Sequence, residues 1–196
     1  MGLKVINAPP VEPVTLDELK DHLKIINDYE DNILESLIKT AREVIEKETN
    51  RSFVQQTLLL TFNGWPVFPI ELRRPPLISI SKIEYKTKEG DLQEWDPLNY
   101  IVDDLSFIPE VYLSGEAVLP NYELYPTNNI LVTYLAGYTS EGNDYTYNIP
   151  EIYKHAIKLL AGEWYGIREE VVMGNKPSRI PDGIKRLLAF ERVIPT

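Results

Sequence analysis

The longest amphipathic stretch of the chain is IPEIYKHAIKLLAGEWYGIREEVV at 149–172. Tyr153, Ile157, Leu160, Trp164, Ile167 and Val171 recur there at alternating spacings of four and three, which is one face of an α-helix over about five turns. Pro150 suits the first turn, where its missing N–H has no intrahelical acceptor. His155 falls opposite the stripe, beside Glu151, Lys158, Gly162 and Glu169. The pattern predicts a helix built for packing, with Trp164 in its core face and a charged end at Arg168, Glu169 and Glu170.

A second helical region lies near the start. Thr15-Leu16-Asp17-Glu18 is a capping box, and Leu16, Leu19, Leu23 and Ile26 follow it as a short apolar stripe. Asn27 to Asp31 is an acidic, polar break. Ile33, Leu34, Leu37, Ile38, Ala41, Val44 and Ile45 then keep a 3.6-residue period, predicting a helix from about Tyr29 to Thr49. Two helices joined by a short turn form a helical hairpin.

At Arg51 the period changes to two. Phe53 to Phe62 reads as a strand with Leu58, Leu60 and Phe62 on one face. Ile70 to Leu72, Ile78 to Lys86 with a bulge near Ser81, Leu92 to Trp95, Tyr100 to Val102, Val111 to Leu113 and Ile130 to Leu135 are further strands. Lys88 to Asp91 is a hairpin turn, and Ser114 to Asn129 reads as an irregular excursion. After a polar loop at 137–148 comes the long helix. MGNKPS at 173–178 reads as a mobile loop, and Pro181-Asp182-Gly183 opens a short final helix bearing Ile184, Leu187, Leu188 and Phe190. The expected fold is α+β: a helical core of 13–50 plus 149–194, with an antiparallel β insert at 53–137.

Composition changes this picture little. With 43% hydrophobic and 26% charged residues the chain is an ordinary globular one. No apolar run nears the length of a membrane span. The start lacks the apolar segment of a secretory signal, and Ile6 stands where a myristoylation signal needs Ser or Thr, so neither route is expected. With no cysteine there is no disulfide or thiolate chemistry. Asn50-Arg51-Ser52 carries the glycosylation pattern, which has no meaning without secretion. The net charge of −10 argues against a protein that grips nucleic acid by its phosphates.

Candidate chemistry is sparse. Neither a nucleophile-elbow nor a zinc-protease motif is present. Gly137 and Gly142 have phosphate-loop spacing, but Asn143 and Asp144 follow where Lys and Ser or Thr belong. His22 and His155 lie far apart in sequence and in no motif, so no catalytic role or metal site is expected of them. Asp103-Asp104 and Glu169-Glu170 read as solvated charge. No cofactor is implied. Twelve tyrosines suit interfaces as well as cores.

Six segments in order carry a resemblance: PVTLDELKDHLK at 13–24, the acidic break at 28–31, ETNRSF at 48–53, RRPPLISISKIEY at 73–85, LVTYLAGY at 131–138 with NIPEIYKHAIKLLAGEWYGIRE at 148–169, and IPDGIKRLL at 180–188. Together they resemble the head–tail connector (adaptor) family of long-tailed bacteriophages, in its longer form with a β insert. One departure is Asn50, where the family usually has Gly; Asn is the commonest other residue at a left-handed helix cap. The resemblance implies a non-enzymatic virion protein, assembled in the host cytoplasm. It implies a ring of about twelve copies on the portal protein that extends the DNA channel and receives head-completion or tail proteins, with no membrane partner. Two other readings stay open, another neck or tail-completion protein and an enzyme with an unrecognised site.

Charge is unevenly spread. Residues 15–50 carry ten acidic and five basic side chains, and 176–196 carry two acidic and five basic. In a head-to-tail ring, complementary charge steers neighbours together. The residues expected at a ring or portal contact are therefore Lys185, Arg186 and Arg192, with Arg168, Glu169 and Glu170 nearby.

Overall fold

The structure is a computed structural model that describes residues 1–120, 123–139, 148–167 and 180–194. In chain order its elements are β1 (Gly2–Asn7), α1 (Leu16–Leu23), α2 (Asp31–Thr49), β2 (Gln56–Phe62), β3 (Ile70–Glu71), β4 (Leu77–Lys86) and β5 (Leu92–Glu94). A 3-10 turn at Pro97–Asn99 leads to β6 (Tyr100–Asp103), β7 (Glu110–Leu113), β8 (Ile130–Ala136), α3 (Glu151–Ile167) and α4 (Asp182–Leu188). The α+β class stands.

Local chemistry sets the helix ends. Thr15 Oγ accepts from Glu18 N at 3.1 Å and the Glu18 carboxylate accepts from Thr15 N at 2.8 Å, so the capping box starts α1. Lys24 ends it in the left-handed region, with φ 58°. The helical period therefore stops before Ile26, which is exposed rather than part of the stripe. Tyr29 likewise precedes α2 and is exposed. Asn50 ends α2 at φ 53°, ψ 37°, the left-handed cap that its identity suggests.

α2 buries Leu34, Ile38, Ala41 and Ile45 against α3, which contributes Tyr153, Ala156, Ile157, Leu160 and Ala161. Trp164 is only half-buried, on the flank of this cluster. α1 packs on both helices, and Leu23 lies so close to Gly162 that a Cβ there would come within 3.0 Å of its side chain. α4 adds Ile184 and Leu188. Phe190, expected on the apolar side of the final helix, lies past its end and is exposed.

Five strands form one antiparallel sheet in the order β1-β2-β8-β4-β5, and three form another, β3-β7-β6. The bulge expected near Ser81 is present as a register shift between Ile80 and Lys82. β1 was not legible in the sequence: it pairs antiparallel to β2, with Gly2 opposite Thr61 and Val5 opposite Leu58. A second cluster, including Leu58, Leu60, Ile83, Trp95, Val111, Val132 and Tyr134, fills the space between the sheets. Gly137 joins the two regions. Its φ is 126°, and a Cβ there would lie 2.5 Å from the Val54 carbonyl oxygen, so only glycine fits.

Candidate assembly interface

At the C-terminal end of α2 the chain folds back on itself. Asn50 Nδ2 donates to the Val193 carbonyl at 2.8 Å, and Val193 N donates to the Thr49 carbonyl at 2.9 Å. Arg51 Nε donates to the Glu191 carbonyl at 2.9 Å, while the Tyr153 hydroxyl donates to the Glu191 carboxylate at 2.6 Å. Burial, and then that carboxylate, push the Tyr153 hydroxyl far above its ordinary pKa, so it stays a donor. The Arg51 guanidinium also lies over the Phe107 ring, 4.7 Å from its centroid. Segment 191–193 is thereby held against the end of α2 and against α3, and Arg51 links this end to the tip beyond β6.

The expected contact residues sit around this clamp. Lys185 is half-buried and Arg186 exposed on α4, and Arg192 follows beyond it. Arg192 Nη1 lies 3.7 Å from Glu48 of the same chain, so part of the acid–base complementarity seen in the sequence is met internally. Arg168, Glu169 and Glu170, with the loop at 173–178 and Val171, the last residue of the apolar stripe, lie outside the described residues.

The opposite end of α2 carries the acidic turn. Lys20 Nζ bridges Asp28 at 2.5 Å and Asp31 at 2.8 Å, and the Tyr165 hydroxyl donates to Glu30. Ile26 and Tyr29 project from this turn into solvent. Between the two ends lies a buried charged hub that sequence reading missed. Arg42 Nη1 donates to Glu46 at 2.9 Å, and Arg42 Nε and Nη2 donate to Glu12 at 2.6 and 3.2 Å. Glu46 also accepts from Phe53 N at 2.8 Å and Gln56 Nε2 at 3.1 Å. Burial raises the Glu46 carboxyl above its ordinary value, against the pull of Arg42. This hub ties the entry segment, α2 and the start of the β region. A glutamate at the buried 3.6-period position after Arg42 was the available signal.

None of these arrangements is catalytic in form. His22 and His155 come together, with ring centroids 6.4 Å apart, yet both are exposed. Among the described residues no three His, Asp or Glu side chains are placed to hold a metal. Asp103 locks a turn. Its carboxylate accepts from the Ser106 hydroxyl at 2.6 Å and from the N–H groups of Leu105 and Ser106, which hold it below the ordinary aspartate range. The Tyr134 hydroxyl donates to the Arg73 carbonyl at 2.7 Å in a buried setting that raises its pKa strongly.

Residues 13–93, from the entry to α1 through β5, match the sequence family of the phage gp6-like head–tail connector protein. The match covers less than half of the chain, and solved structures extend the likeness of fold to the rest. One is a chain of the neck of an empty gene transfer agent particle computed with C6 symmetry. Its TM-score is 0.79 at 20% identity, over 100% of this chain and 97% of that one. A chain of the virion of the native gene transfer agent particle gives 0.76 at 21% identity, with the same coverages. So does a chain of the native neck computed with C12 symmetry, at 0.76 and 20%. No curated protein matches the chain.

Proposed function

We propose that the chain is a structural virion protein without enzymatic activity, one subunit of a ring that joins head to tail at the portal vertex. The observation that carries this reading is the connector-family match over 13–93. The fold shared with neck chains along the whole length supports extending it to the remaining residues. The ring holds twelve copies, sits on the portal protein and offers head-completion or tail proteins a surface. DNA passes through its centre without specific contact. A net charge of −10 suits such a conduit, because an acidic wall does not grip phosphates. The protein assembles in the host cytoplasm and ends in the virion.

In this reading the helical core, 13–50 with 149–194, and the β insert, 53–137, are two units, a division supported by the two separate hydrophobic clusters. Lys185, Arg186 and Arg192, with Arg168, Glu169 and Glu170, meet the next subunit or the portal. Co-sedimentation with the cognate portal protein, followed by electron microscopy, tests the function. The expected result is a ring with a central hole seated on the portal. Absence of portal binding together with turnover of a substrate would overturn it.

A further inference from the structure

Two apolar side chains that the amphipathic pattern assigns to the core are among the most exposed in the chain: Ile26 at 97% and Phe190 at 94%. Neither stands alone. Tyr29, also 94% exposed, and Ile33 accompany Ile26 at the turn between α1 and α2, and Ile194 accompanies Phe190 beyond α4. Single exposed apolar residues are ordinary; groups at this exposure mark contact surfaces.

The two groups lie at opposite ends of α2. Ile33 is in its first turn, whereas segment 191–193 is bonded to Thr49 and Asn50 at its last. Nineteen residues of helix separate them by about 28 Å. They cannot cover each other within one chain. Their charges are opposed as well. Residues 20–35 hold five carboxylates and two lysines, while 185–194 hold three basic side chains and one acidic. Arg192 shares a nitrogen with Glu48, but its side chain remains 54% exposed.

We propose that the patch of Ile26, Tyr29 and Ile33 on one copy docks against the patch of Phe190 and Ile194, rimmed by Arg186, on the next copy. This rests on the ring reading above and adds which surfaces meet. A contact between two different surfaces of identical chains is head-to-tail, and it closes a ring where the repeated rotation completes a full turn and runs on as a filament where it does not. The apolar side chains supply affinity, and the opposed charges orient the encounter. A two-fold dimer through either patch would set like charges against each other.

Because the chain has no cysteine, thiols can be placed at will. Asn32→Cys and Ala189→Cys, at exposed positions beside the two patches that leave every apolar contact residue in place, are made singly and together in the full chain. Each purified protein is treated with a short bismaleimide over a concentration series and run on a denaturing gel. The double variant is expected to give a ladder of multimers ending at a closed ring. Each single variant alone stays monomeric, and an equal mixture of the two singles gives dimer and nothing larger. A separate pair, Ile26→Ser with Tyr29→Ser, weakens association about tenfold or more while leaving the melting temperature of the monomer unchanged. Dimer from either single variant, or a double variant that stays monomeric throughout, overturns the contact. Wild-type protein imaged on the portal separates the two levels of the reading. Rings without cross-links sink this contact and keep the ring, whereas neither rings nor cross-links sinks both.

Discussion

Replacing Glu46 with alanine should be among the most damaging single changes outside the apolar core. The side chain is 3% exposed and satisfies three donors: Phe53 N at 2.8 Å, Gln56 Nε2 at 3.1 Å and Arg42 Nη1 at 2.9 Å. Alanine leaves the Phe53 N–H in a fully buried residue without this acceptor, at a cost of about 1–3 kcal/mol. It also strips a counter-charge from Arg42, whose side chain is 4% exposed. Orphaning a buried charge completely costs about 3–5 kcal/mol. Arg42 keeps Glu12 at 2.6 and 3.2 Å, so only part of that applies. The expected loss for Glu46→Ala is about 3–4 kcal/mol. Glu46→Gln, which keeps an acceptor for Phe53 and Gln56 but turns an amide N–H toward the Arg42 guanidinium, should lose about half of that. Urea unfolding at neutral pH measures both as a lowered midpoint at unchanged slope. A loss under about 1 kcal/mol for Glu46→Ala would show that the hub is not desolvated, and the packing argument would fail.

Gly137→Ala should cost about 3 kcal/mol or more, because the added Cβ meets the Val54 carbonyl at 2.5 Å and φ is 126°; a denaturant melt within 1 kcal/mol of wild type would contradict the geometry. At Asn50, Gly should lose about 1 kcal/mol through the missing bond to Val193, and Ala about 1 kcal/mol more through left-handed backbone strain, read as an ordered drop in melting temperature. The raised Glu46 carboxyl binds its proton more tightly in the folded state than in the unfolded one. That contribution is fully present below pH 4.5 and is lost as pH rises through the folded value, so the penalty of Glu46→Gln should shrink over the same rise. A penalty that grows with pH above 4.5 would show the opposite sign.

Features governed by neighbours in sequence were legible. The Thr15–Glu18 capping box, the left-handed cap at Asn50 and the bulge beside Ser81 each depend on a few adjacent residues, and their residue types announce them. The long strands β2 and β8 show their period because each buries one face. At helix ends the apolar rhythm of the sequence runs past the helix itself. Ile26 and Phe190 continue an apolar rhythm in the sequence, but the backbone leaves the helix at Lys24 and after Leu188, so the rhythm no longer maps onto one face. Trp164 was expected at the centre of a stripe, yet the buried face of α3 is centred on Ala156, Ile157, Leu160 and Ala161, whose neighbours are set by how α1 and α2 approach.

What only the tertiary structure decided was long-range pairing. β1 has six residues and little burial of its own, and it exists as a strand because β2 offers a free edge. The tail at 191–193 has no local signal for binding Thr49, Asn50 and Arg51. The Glu12–Arg42–Glu46 hub and the meeting of His22 with His155 join residues far apart in the chain. Sequence period reports which side of an element is apolar. It carries no record of which distant element covers that side, because that choice is made by the packing of all of them together.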